Sequence, residues 1–188
     1  MKTTNTPYKN YEQYYLANGG HYDNFKKWEK GLSDYERQGI DFLIKTGTTF
    51  NARMIGHGPY FDDDDQSRDI YMVTLQRGNK KYSFRFGQSI VNSGTMTENH
   101  VLSQKAKWGE RPYSSKDFAQ KRKAPTPYVV LSGIQKYDMG SFENFCAELG
   151  YELDSRKAEK TYFAVQKEYA EVKKLFNEKE IEELAEIC

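Results

Sequence analysis

Asp69 to Gln88 reads DIYMVTLQRGNKKYSFRFGQ, and this stretch decides the fold. Gly78-Asn79 separates two runs of β-branched and aromatic residues, the short-range signature of a β-hairpin with a two-residue turn. Such a turn sets Arg77 opposite Lys80, Leu75 opposite Tyr82, Val73 opposite Phe84 and Tyr71 opposite Phe86. One face is then wholly apolar. The other carries Met72, Thr74, Gln76, Lys81, Ser83 and Arg85. Side chains alternate with period two, so a slip of one residue would mix the two faces. A lone hairpin is marginal in water, and the rest of the chain has to cover the apolar face.

Upstream, Asn10 to Leu16 reads as a short helix ended near Gly19-Gly20, and His21 to Lys30 puts Tyr22, Phe25 and Trp28 on one helical stripe. Ser33-Asp-Tyr-Glu36 is a capping box. It opens a helix to about Lys45, with Ile40, Leu43 and Ile44 inward and Gly47 suited to the left-handed residue past its end. Thr48 to Ile55 reads as a third strand beside the hairpin, and Gly56 to Ser67 as a turn-rich loop. Downstream, 89–125 is polar and without periodicity. A loop beyond about 15 residues is usually functional or disordered.

Thr126-Pro127 restarts helical grammar, with Thr as N-cap and Pro at the first position. A short helix follows Ser141, closed by Gly150. A long one begins near Ser155, with Ala158, Tyr162, Val165, Tyr169, Val172 and Phe176 at spacings of four and three. Asn177 to Glu180 caps a last helix carrying Ile181, Leu184 and Ile187. The expected fold class is α+β: a small antiparallel meander of about three strands packed with N-terminal and C-terminal helices. Residues 1–47 form an N-terminal helical segment. Residues 48–188 form the α+β core domain, with a flexible basic loop at 89–125.

Hydrophobic residues are 37% of the chain but aromatic residues 15%, so Tyr and Phe carry much of the core. The net charge is +1, which gives no bulk attraction to nucleic acid or membrane. No apolar run approaches the roughly 20 residues that span a bilayer. The opening MKTTNTPYKN has no apolar signal-peptide core. Cys146 and Cys188 lack metal-ligand spacing and read as free thiols, so the expected location is cytoplasmic.

No catalytic motif is present, and nothing calls for a cofactor or a metal. Asp62 to Asp65 offers carboxylates to a hard cation but lacks the glycine and distal Glu of an EF-hand loop. Its plainer reading is a solvated acidic loop. His57, between two glycines, reads as a turn residue before it reads as a metal ligand or base; His21 and His100 stand apart. No glycine-rich segment matches a phosphate cradle.

Charge is unevenly spread. Gln104 to Lys123 carries Lys105, Lys107, Arg111, Lys116, Lys121, Arg122 and Lys123 against Glu110 and Asp117, a net of +5. Trp108, Tyr113 and Phe118 are interleaved. Cations for phosphates and rings for bases are what single-strand or RNA binding uses. Lys81 and Arg85 on the polar hairpin face extend the patch. The alternative is a solvated loop whose rings fold back on the sheet. From Asp138 to the end, 13 acidic side chains face 7 basic ones, a net of −6. Such a surface suits a basic partner, imitates phosphates, or is simply solvated.

The stretches RDIYMVTLQRGNKKYSFRFGQSI from Arg68, PTPYVVLSGIQKYDMGSFENFCAELGYELDSRKAEKTYFAVQKEY from Pro125, and LFNEKEIEELAEI from Leu175 resemble small proteins encoded by bacteriophages and prophages. The likeness covers most of Gly47 to Ile187, with the basic loop as a variable insert. Proteins of this size and source include anti-CRISPR inhibitors. The resemblance implies a phage accessory role and transfers no functional residue. The expected function is a non-enzymatic anti-defence protein that binds a bacterial Cas nuclease or its ribonucleoprotein, guide RNA or target DNA, in the cytoplasm of an infected or lysogenic host. The alternatives are a nucleic-acid-binding accessory protein and a metal-dependent nuclease centred on His57 and the aspartates.

Overall fold

The computed structural model describes residues 6–59, 67–89, 99–102, 124–136 and 141–187. In chain order the elements are α1 (Tyr11–Ala17), a single 3-10 turn at Tyr22–Asn24, α2 (Phe25–Lys30), α3 (Asp34–Thr46), β1 (Thr48–Pro59), β2 (Ser67–Arg77), β3 (Lys80–Ser89), β4 (Asn99–Leu102), α4 (Pro127–Lys136), α5 (Phe142–Leu149), α6 (Arg156–Lys173) and α7 (Glu178–Ile187). The fold is α+β. The strands form one antiparallel sheet in the order β1-β2-β3-β4. Among the described residues no helix is long and apolar enough to cross a membrane.

The hairpin has the register its faces demand: Leu75 pairs with Tyr82, Val73 with Phe84 and Tyr71 with Phe86, around Gly78 at φ 54°. Tyr71, Val73, Leu75, Phe84 and Phe86 are buried, and Tyr82, nearest the turn, is half-buried. Phe50 of β1 joins them opposite Leu75. The cover comes from Ile40, Phe42 and Leu43 of α3, Val130, Leu131 and Ile134 of α4, and Ala158, Tyr169 and Val172 of α6. Leu184 of α7 and the Phe42–Phe176 ring pair, 5.2 Å apart, close the cluster. The core is therefore continuous across residue 47. Cys146 is a buried free thiol within it.

Local caps set the helix ends. The Ser33 hydroxyl accepts from the Glu36 amide at 3.2 Å while the Glu36 carboxylate accepts from the Ser33 amide at 3.0 Å. Asn177 and Glu180 repeat that exchange at α7, at 3.0 and 2.8 Å. The Thr126 hydroxyl accepts from the Val129 amide at 3.3 Å. Gly47 and Gly150 end α3 and α5 in left-handed conformations.

Three expectations change. The Gly56 to Pro59 stretch is strand, not loop: β1 continues beyond Ile55 through a register shift between Met54 and Gly56. A bulge absorbs the odd residue and lets glycine-rich backbone keep pairing with β2. Within 89–125, residues 99–102 form a fourth strand on β3. Four residues are too few for a period to show. The Tyr22-Phe25-Trp28 stripe breaks at its first member, because α2 begins only at Phe25 and Tyr22 stays 68% exposed.

Two contacts lock the helices. Gly39 is buried where α3 meets the start of α4, and a Cβ there would lie 2.4 Å from the backbone nitrogen of Tyr128. Arg77, at the end of β2, forks onto Glu180 with N–O distances of 2.6 and 2.9 Å and donates to the Leu175 carbonyl at 2.9 Å. Burial raises the pKa of the Glu180 carboxyl. The Arg77 guanidinium, the Asn177 amide and Lys45 pull it down further, so it ends below its ordinary 4.5.

Overpacking costs about 1–3 kcal/mol, with the upper end applying where the obstacle is backbone. Alanine returns about 1 kcal/mol as the better helix former. Gly39→Ala is expected to lose about 2 kcal/mol on urea unfolding; equal or greater stability would show that α3 and α4 do not touch there. For Glu180 the depressed folded pKa means its stabilisation is present above the ordinary carboxyl value and lost as pH falls through the folded one. Arg77→Ala is expected to cost about 1.5–3 kcal/mol near neutral pH, a penalty that shrinks as pH drops below 4.5. Stability curves of the two proteins that stay parallel down to pH 3 would dismiss the ion pair.

Candidate functional site

The sheet has one face against the helices, and the opposite face holds three rows across β1, β2 and β3. Thr49, Gln76 and Lys81 form the first, Asn51, Thr74 and Ser83 the second, and Arg53, Met72 and Arg85 the third. Strand alternation places them there, since their neighbours Phe50, Val73, Leu75 and Phe84 are buried. The three rows carry three cations, five neutral hydrogen-bonding side chains and no carboxylate. Thr74 and Ser83 share a hydroxyl–hydroxyl bond of 2.8 Å, and Thr49 donates to the Gln76 carbonyl at 3.3 Å. Arg53 and Lys81 are exposed and Arg85 half-buried.

Of the residues expected to bind a partner, Lys81 and Arg85 are thus on one face, and the structure adds Arg53 through the row it shares with Met72 and Arg85. Sequence alone did not flag Arg53, because only the β1–β2 register puts it beside the hairpin. Lys105, Lys107, Trp108, Arg111, Tyr113, Lys116, Lys121, Arg122 and Lys123 lie outside the described residues, as does Asp62 to Asp65. His57 sits on β1 opposite Asp69. Exposed His21 lies 3.2 Å from Asp23. Among the described residues no group of three or more His, Cys, Asp or Glu side chains could hold a metal.

The acidic C-terminal part is partly consumed by structure. Glu180 holds Arg77, Glu183 holds Lys45 at 2.5 Å, and Glu171 holds Lys174. Glu178, Glu182 and Glu186 remain exposed, four residues apart on one side of α7. Helix α7 packs on α3 and α4, the helices that cover the apolar side of the sheet. Cationic and acidic surfaces therefore lie on opposite sides of the sheet.

A concave feature lies elsewhere, along the outer edge of β1. Tyr14 and Tyr15 of α1, Trp28 of α2, Glu36 and Ile40 of α3 and the Ala124–Pro127 segment enclose a cavity of about 420 Å³. The stretch before α1 is pinned to the same edge. The Tyr8 hydroxyl donates to the Phe50 carbonyl at 2.9 Å and accepts from its amide at 3.0 Å. Burial raises the Tyr8 pKa, so this hydroxyl stays protonated and serves as both donor and acceptor. No sequence periodicity announces the cavity, since α1, α2, a strand edge and a segment some 90 positions later meet only in the fold.

No family model, curated protein or solved structure matches the chain.

If the sheet face touches phosphates, the double variant Lys81→Ala/Arg85→Ala is expected to weaken binding to single-stranded RNA. It should also flatten the dependence of log affinity on log salt by about 0.7 for each phosphate that is no longer neutralised. The same slope and affinity in the variant would make this an ordinary solvated sheet face.

Proposed function

We propose that the protein is a non-catalytic anti-defence factor of phage origin, an inhibitor of the anti-CRISPR kind. It would occupy a Cas nuclease, its guide RNA or its target DNA. The observation that carries this reading is the separation of charge: Arg53, Lys81 and Arg85 on the open sheet face, Glu178, Glu182 and Glu186 on the far side. A nuclease loaded with nucleic acid offers phosphates to the first surface and a basic channel to the second. Resemblance of the chain to phage and prophage proteins supports the same reading. The second reading, a phage nucleic-acid-binding protein with no defence target, draws on the sheet face alone, whose three rows hold three cations and no carboxylate.

An occupier acts once per target. Inhibition of a sensitive Cas nuclease is therefore expected to saturate near equimolar protein. It should weaken as salt rises, because screening shortens the Debye length from about 10 Å at 0.1 M to about 3 Å at 1 M. Titration at two salt concentrations, with the guide RNA run on a gel, measures both. Full inhibition at a small fraction of equimolar, with altered guide, would replace the occupier by an enzyme. Silence across a panel of Cas types, with RNA binding retained, would favour the second reading.

A further inference from the structure

We propose that the cavity at the β1 edge is a binding site for an organic cation, a quaternary or methylated ammonium group. Its volume of about 420 Å³ lies in the range of small-ligand sites, about 300–1,000 Å³. Three aromatic rings wall it. Trp28 lies 4.6 Å from Tyr15 and 6.1 Å from Tyr14, ring centre to ring centre, so the three form one continuous aromatic surface. Tyr14 is buried, whereas Tyr15 and Trp28 are only half-buried and keep ring surface open.

The electrostatics have one sign. The chain holds 28 Lys and Arg, yet none is among the lining residues, and the single charged group is the acid Glu36. Its carboxylate also serves the α3 cap, through one oxygen that accepts from the Ser33 amide and hydroxyl at 3.0 Å each. Capping leaves the negative charge in place. Its field reaches the wall: burial first, then Tyr8 and Glu36, push the Tyr14 hydroxyl well above its ordinary pKa of 10. An anion would meet the negative faces of the rings and a carboxylate, with no cation to offset them. A cation meets the reverse. Methylated ammonium fits best, because it gives up little hydration on entering an apolar site and is the ligand that aromatic cages recognise.

The edge of β1 adds orienting groups. Phe50 turns its amide and carbonyl outward to Tyr8, and ladder alternation turns those of Ala52, two residues on, the same way. Ala52 is itself a lining residue, so the site offers a backbone donor and acceptor beside the rings. A second cavity of about 460 Å³ shares Tyr15, Trp28, Leu32 and Glu36 but includes Lys27. That lysine makes the Tyr14 side the one for the cation.

The test is calorimetric titration of the full chain with three probes. They are choline, its uncharged isostere 3,3-dimethylbutan-1-ol, and a short peptide bearing one trimethyllysine beside its unmethylated form. Choline or the methylated peptide is expected to bind, and the uncharged isostere at least about tenfold more weakly than choline. Tighter binding of choline identifies a free small molecule as the source of the group; tighter binding of the peptide identifies a modified protein side chain. Glu36→Gln retains a cap, since Gln serves at that position, but removes the charge. It is expected to weaken binding about tenfold while leaving thermal unfolding unchanged. Trp28→Phe, which keeps a ring, is expected to weaken it less. No heat from either cationic probe at tens of millimolar overturns the proposal. So does an isostere that binds as tightly as choline, or a Glu36→Gln protein that folds normally and binds as before.

Discussion

Water rejects one face of the β2–β3 hairpin, and that rejection places nearly everything else. Val73, Leu75, Phe84 and Phe86 present a broad aromatic and aliphatic surface with no accessible area left. Burying one such side chain contributes about 1.5–3 kcal/mol relative to exposure, so leaving the face uncovered would exceed the margin by which domains of this size are stable. Helices from both ends of the chain therefore converge on it. That convergence explains why α3 and α4, far apart in sequence, approach closely enough that only glycine fits at position 39.

The cover also sorts charge. Helices that bury one side turn their polar side outward, and α7 leaves Glu178, Glu182 and Glu186 in solvent. The sheet's other face has to be polar because nothing among the described helices covers it, and its three rows carry cations without carboxylates. A net charge of +1 conceals this division. Two faces of opposite sign are therefore a consequence of how the core is covered. Whatever the protein meets, it can present either sign by rotation. Arg77 is turned inward to the helices, where Glu180 and the Leu175 carbonyl receive it.

The N-terminal aromatic residues perform a different task. An edge strand exposes backbone groups to unwanted pairing. Tyr8 fills those of Phe50 with a hydroxyl that both donates and accepts, and its ring packs edge-on against Tyr14 at 5.4 Å. The protection reaches only part of the edge. The cavity opens beyond it, at Ala52, with rings on its walls.

Much of this was legible along the chain. Gly78-Asn79 and the alternation around it determined the hairpin, its register and which face is buried, because turn type and period two are properties of neighbouring residues. The caps at Ser33, Thr126, Ser141 and Ser155 determined helix starts, since each bonds within three residues of itself. Tertiary structure alone decided the rest. Strand β4 exists because β3 offers it a partner; its four residues hold no pattern of their own. Arg53 joins Arg85 only through the pairing of β1 with β2 and β2 with β3. Tyr8 finds Phe50 across 42 positions and Arg77 finds Glu180 across 103. Contacts at such distances leave no periodic trace, because their partners are chosen by where the covered sheet brings the chain together. The aromatic cavity belongs to the same class, assembled from pieces that each looked like ordinary helix and turn.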